Sequence, residues 1–164
     1  QSMTKEEAAG ARIRRAAPDD AAPIAATLYG SFLAYEASYT PEAFAATVST
    51  PGQILERMRE GPIWVALENG ALVGTVSVVL KGEALYIRGM AVSPAARGKR
   101  LGRRLLECAE EFARQNGCKR LFLSTTPFLT RAIRLYEHYG FHRTNDEPHD
   151  LCGTPLFTMV KPLV

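Results

Sequence analysis

The stretch SPAARGKRLGRRLLECAEEFA, Ser93 to Ala113, decides how the rest of the chain is read. It sets five basic residues (Arg97, Lys99, Arg100, Arg103 and Arg104) within eight positions, with Gly98 and Gly102 among them. Leu101, Leu105, Leu106, Ala109, Phe112 and Ala113 then recur at helical spacing. Upstream, ALYIRGMAV is a strand pattern ending at Val92. A strand, a glycine-bearing loop and a helix start make a generic anion site, because first-turn N–H groups lack partners and the helix dipole favours negative charge there. Glycine removes the Cβ that would hold a ligand off the backbone. Basic side chains at a helix N-terminus oppose the dipole, a local conflict that a bound anion resolves.

Two nucleotide motifs fail on spacing. A phosphate-binding P-loop needs G-x-x-x-x-G-K-[ST], but five residues after Gly98 stands Arg103; a dinucleotide fingerprint needs G-x-G-x-x-G, and these glycines are spaced G-x-x-x-G. An RNA surface would use the same charges non-specifically. It is the lesser reading, because no aromatic stacking residues are interleaved with them. A merely solvated basic face is the plain alternative.

Working outward, ARIRRAAP reads as a first strand ending at Pro18, and Asp19 or Asp20 as the cap of a helix with Ile24, Leu28, Phe32 and Tyr35 on one face. A polar stretch, ASYTPEAFAATVSTPGQ, precedes a second helix over about Gln53 to Glu60, stopped by Gly61-Pro62. Asn69-Gly70 joins two β-rich runs as a type I′ hairpin, and Lys81-Gly82 makes the next turn. The order β-α-α-β-β-β excludes a plain Rossmann alternation. Gly117 should end the helix after the basic loop. RLFLST is then a strand, TRAIRLYEHY a helix stopped by Gly140, and FHRT and LFTMV are two closing strands.

The chain's 164 residues suit one domain, over 4–164, with Gln1 to Met3 read as a tag remnant. A net charge of +3 is too mild to diagnose a nucleic-acid partner. No apolar run approaches the ~20 residues of a membrane span. Cys108, Cys118 and Cys152 fit neither a disulfide framework nor a zinc site, and His138, His142 and His149 lack ligand spacing. The expectation is a reduced, cytoplasmic protein without a metal; a homodimer is left open.

MAVSPAARGKRLGRRLL resembles the acetyl-CoA-binding motif of the GNAT N-acetyltransferase superfamily, [Q/R]-x-x-G-x-[G/A] after a strand ending in V-x-P. Arg97 fills the first position and Gly102 the last, while Arg100 stands where the family usually has glycine. TRAIRLYEHYGF is similar to the family's A-x-x-L-Y-E-x-x-G-F through Ala132, Leu135, Tyr136, Glu137, Gly140 and Phe141. The resemblance implies an α/β acyl-CoA N-acyltransferase fold: one mixed, mostly antiparallel sheet of about six to seven strands flanked by about four helices. It implies transfer from acetyl-CoA to a small-molecule or peptide amine by direct attack. Met90, Ala91 and Val92 would meet the pantetheine and acetyl carbonyl. The segment Gly98, Lys99, Arg100, Leu101, Gly102, Arg103, with Arg97, would hold the pyrophosphate, and strands splayed beside Val92 and Ser124 would form the slot. Tyr136 matches the family's proton donor. The positions where relatives carry a glutamate or asparagine are Ser124, Leu129 and Tyr86, so no base carries over. A non-catalytic acyl-CoA-binding domain is the alternative that this absence keeps open.

Alternation places Tyr86, Arg88, Met90 and Val92 on one strand face. Arg88 there faces a cleft, where it would orient an anionic part of the acceptor, or forms a structural ion pair. Tyr86, Tyr35 and Glu36 join Arg88 as candidates for the acceptor site. The acidic loop TNDEPHDLCG either attracts a cationic amine or is solvated turn.

Overall fold

Asn69 and Gly70 take positive φ, 52° and 81°, and close the hairpin between β2 (Ile63–Glu68) and β3 (Ala71–Lys81) as their tolerance of that region predicts. The computed structural model describes residues 11–164, so the expected tag remnant lies outside it. The other strands are β1 (Ala11–Arg15), β4 (Ala84–Val92), β5 (Arg120–Thr125), β6 (His142–Arg143), β7 (His149–Leu151) and β8 (Thr154–Pro162). Five α-helices accompany them: α1 (Ala21–Phe32), α2 (Pro41–Thr47), α3 (Pro51–Glu60), α4 (Leu101–Gln115) and α5 (Thr130–Tyr139).

One sheet runs β1-β2-β3-β4-β5-β8-β6, with β7 also paired to β8. Every pairing is antiparallel except β4 with β5. The sheet is therefore mixed and mostly antiparallel, as expected, and both counts run one above expectation. The additional helix, α2, lies in the stretch read only as polar; Thr40 caps it, accepting from Ala43 N at 3.1 Å, with Pro41 in its first turn. The additional strand, β7, lies in the acidic loop. Thr50 and Gln53 form a reciprocal capping box that starts α3 at Pro51, earlier than Gln53. Asp20 does not cap α1 through its side chain. It binds Arg14 through both oxygens, at 2.8 and 3.0 Å, and accepts from Ala17 N at 2.7 Å.

Alternation divides the core into two layers. Trp64, Ala66, Val76 and Val78 pack with Leu101, Leu105, Leu106 and Ala109 of α4 and with Tyr136 and Tyr139 of α5. Ile63, Val65 and Ala91 pack with Ala21, Ile24 and Leu28 of α1 and Ile54 of α3.

β4 breaks this rule at one point. Ser77 pairs with Arg88 and Thr75 with Ala91, so Gly89 and Met90 together oppose Val76. This is a bulge, with Gly89 at φ +57°. The extra residue shifts the alternation: Met90 and Val92 pack on the α4 face with Ile87, while Ala91 turns to the α1 layer. The expected common face for Tyr86, Arg88, Met90 and Val92 is thus corrected, because period-two counting does not survive an inserted residue. The parallel ladder between β4 and β5 also stops early, at Tyr86 with Phe122. Beyond it the strands splay, and the opening is where the cavities form.

Candidate functional site

Two cavities meet at the splay. The larger, about 420 Å³, is lined by Met90, Ala91 and Val92 at the end of β4, by the loop and first turn of α4, and by Leu135 and Tyr136 of α5. The smaller, about 310 Å³, lies between the two strands and is lined by Tyr86, Arg88, Ser124 and Thr125, with Arg57 of α3. Phe32, Met90, Leu129 and Tyr136 line both, so Tyr136 stands where the cavities join.

The larger cavity has an anion's chemistry at one end. Arg97, Gly98, Arg100, Leu101, Gly102 and Arg103 line it, as does Arg131 of α5. No side chain caps α4, leaving its first amides to any ligand there. Gly98 has φ +85° and a Cβ added there would meet nothing within 4 Å, so its requirement is the turn. Gly102 is small for a different reason: a Cβ would come 2.7 Å from Leu135 Cδ2 and 3.5 Å from Met90 Cε. Arg100 occupies the left-handed region, with φ 61° and ψ 20°. That geometry explains why a glycine suits the position and why an arginine there costs about 1 kcal/mol.

Of the expected cofactor residues only Lys99 is absent from the lining. Its ammonium turns away to Glu68 at the end of β2, 2.8 Å from each carboxylate oxygen. Its side chain ties the loop to the hairpin, whose end brings a carboxylate within reach. Arg103 lies over the Tyr139 ring, 5.2 Å from its centroid, with Glu107 3.8 Å away. Arg131 is a guanidinium that sequence reading missed; its place in TRAIRLYEHYGF was the available signal.

Tyr136 is 8% exposed, and burial first, then Tyr39, pushes its phenol up to about 12. Tyr86 stacks on Phe122 with centroids 5.0 Å apart. Tyr35 lines the larger cavity, beside Phe128. Glu36 is exposed and lines neither cavity, because the chain there leaves α1 for a 3₁₀ segment, Leu33–Ser38. Arg88 lines the smaller cavity, and its guanidinium meets Glu60 at 2.9 Å in the ion pair that was one of its two readings. His149, on β7, brings Nε2 to 3.2 Å from Ser124 Oγ, a meeting that no local pattern announces. Among the described residues no cluster of three or more His, Cys, Asp or Glu is arranged to hold a metal, and no helix is long and apolar enough to cross a membrane.

Comparison with known proteins gives the family and the fold. The model of the acetyltransferase (GNAT) family matches residues 28–141. An N-acetyltransferase of Escherichia coli (strain K12), YjgM, described as uncharacterized, is 40% identical over 82 residues, 48% of this chain and 49% of its own length. The IAA acetyltransferase of Azospirillum brasilense is 39% identical over 79 residues, 47% of this chain and 52% of that one. The matches thus span about half the length of these relatives. The crystal structure of PaiA N-acetyltransferase from Thermoplasma acidophilum, in complex with coenzyme A, superposes with a TM-score of 0.80. It is 17% identical, over 93% of this chain and 99% of that one, a likeness of fold.

Proposed function

The chain belongs to the acetyltransferase (GNAT) family, and from that premise we propose that it moves the acetyl group of acetyl-CoA to a primary amine held in the smaller cavity. One observation carries the reading: a guanidinium-rimmed cradle and a separate acceptor-sized cavity share a wall at Met90, Leu129 and Tyr136. The cradle fits the group. Arg97, Arg100, Arg103 and Arg131 with the α4 amides suit pyrophosphate, while Met90 to Val92 offer main chain beside an apolar channel toward the splay. Bound acetyl-CoA supplies an activated thioester; the amine forms a C–N bond as the C–S bond breaks, and one amine proton ends on the thiol.

The chain's own residues position the partners and manage charge. The Tyr136 phenol, at about 12, keeps its proton throughout the neutral range. Handing that proton outright to a thiolate, whose parent thiol in cysteine has a pKa near 8.5, would be uphill by about 5 kcal/mol. Tyr136 therefore acts as a hydrogen-bond donor to developing charge on sulfur. For the amine proton, two acceptors touch residues that line the smaller cavity: Glu60 through Arg88, and His149 through Ser124. Glu60 is engaged by the guanidinium, so His149 is assigned the base role, directly or through a water.

A panel of primary amines assayed for release of free CoA thiol tests the proposal. Release that depends on an amine supports transfer. A protein that binds acetyl-CoA and releases none with any amine is a non-catalytic binder. An RNA-binding role loses support because Arg97, Arg100 and Arg103 line a cleft; protection of the loop by RNA but not by acetyl-CoA would restore it.

A further inference from the structure

The far side of the smaller cavity carries a charge that no residue there balances. Arg57, on α3, and Arg88, on β4, both line it, and Glu60 is the one carboxylate within ion-pair distance of either among the described residues. Glu60 meets Arg88 at 2.9 Å from a half-exposed position. Arg57 Nη1 and Arg88 Nε are buried without a hydrogen-bond partner, as is Thr125 Oγ1 in the same wall. Guanidinium cannot shed its proton to escape this cost. Burial, and then the charge of Arg88, lower the Arg57 pKa, against smaller opposing effects of Tyr86 and Glu60.

The bulge keeps this arrangement in place. A Cβ on Gly89 would come 2.7 Å from Arg57 Nη1, so the absence of a side chain lets the guanidinium lie against the strand. Gly89 adjoins Met90, which lines both cavities. The unbalanced charge therefore lies next to the junction where the amine must sit. Elsewhere the wall is mixed: Leu123, Leu151 and Leu156 form its apolar part, and Thr47, Ser124 and Thr126 its hydroxyl part.

We propose that this cavity takes an acceptor bearing a carboxylate on the carbon that carries its amine, read by Arg57 and Arg88, with an apolar side chain against the leucines: a free amino acid. This rests on the acetyl-transfer reading above and narrows it. Guanidinium presents paired N–H donors that match a carboxylate, and both arginines line the cavity. A peptide N-terminus or a simple polyamine has no carboxylate at that distance from its amine, and would leave the charge unmet.

The test uses the full chain with L-leucine, L-phenylalanine and L-valine, each beside its primary amide and its decarboxylated amine. Both CoA release and direct calorimetric binding are read. The free acids should exceed their amides and bare amines by roughly 10- to 100-fold in kcat/KM, the span of ~1.5–3 kcal/mol for hydrogen bonds to a charged group. Arg57→Gln should collapse that acid-to-amide ratio, mainly through KM, and Arg57→Lys should restore part of it. Because Arg57→Gln removes a half-buried cation with no ion-pair partner, its melting temperature should hold or rise; a purely structural arginine would lower it. Amides or bare amines used as well as the acids would overturn the inference and leave acetyl transfer standing. If no compound releases CoA, transfer itself fails, and the binding arm still decides: selective binding of the acids upholds the carboxylate site, and its absence ends it.

Discussion

Tyr136 sits at the meeting point of the two cavities and is buried enough to hold its phenol near 12, which makes two expectations specific. Tyr136→Phe should lower kcat by about 10- to 100-fold, the worth of one hydrogen bond to a charged group, with acetyl-CoA affinity nearly unchanged; steady-state kinetics beside a binding titration separate the two. Unchanged turnover would remove Tyr136 from the chemistry. The same phenol sets a stability limit. Its pKa is raised on folding, so between about 10 and 12 the native state holds the proton that the unfolded chain has released, and stability falls as pH rises through that window. The loss amounts to about 2–3 kcal/mol for a two-unit shift. Alkaline denaturation of the wild type should steepen there, and less so in Tyr136→Phe. At this scale the sequence was partly legible. Arg97, Gly102 and Tyr136 stand in motifs with a fixed order, and the structure brings them to one opening. Lys99 was not legible, because its partner Glu68 is distant in sequence and close only across the hairpin end.

The helix α4 and the strand β4 show why elements, rather than residues, make the cleft. Leu101, Leu105, Leu106 and Ala109 bury one face of α4 and aim its uncapped start at the cavity. Gly102 lies where that start crosses Leu135 of α5. Gly102→Ala adds one methyl against a flexible side-chain tip and should change little. Gly102→Val forces overpacking, typically ~1–3 kcal/mol, and should weaken acetyl-CoA binding about tenfold or more by titration. Wild-type affinity in Gly102→Val would show that the helix start does not shape the cradle. The hairpin at Asn69-Gly70, the helices α4 and α5 and the strand β5 were legible because their signals are local: turn propensity and period. The helix α2 had its signal in Thr40-Pro41, masked by a polar composition. The bulge at Gly89 had none, since a glycine inside a strand pattern does not say whether the ladder gains a residue.

For the molecule as a whole, the sheet separates two helix-covered core layers and the splay between β4 and β5 opens within it, so a ligand filling the splay should tie the layers together. Acetyl-CoA at 100 times its dissociation constant should add about 2.7 kcal/mol, or roughly 5–10 °C in melting temperature for a chain of this size. A differential scan with and without acetyl-CoA reads it, and no shift at saturating ligand would contradict the cradle. Sequence alone determined the strand, glycine-basic turn and amphipathic helix around Arg97 to Arg103, because they are contiguous and their spacing is covalent, and its two motifs carried the resemblance that implied the fold class. Only the tertiary structure decided where the ladder between β4 and β5 ends, which face Met90 takes, and that Arg57 and Arg88 share a cavity with an unmet charge. Those depend on register and on packing between a helix and a strand about thirty residues apart, and no local pattern encodes a distance across the fold.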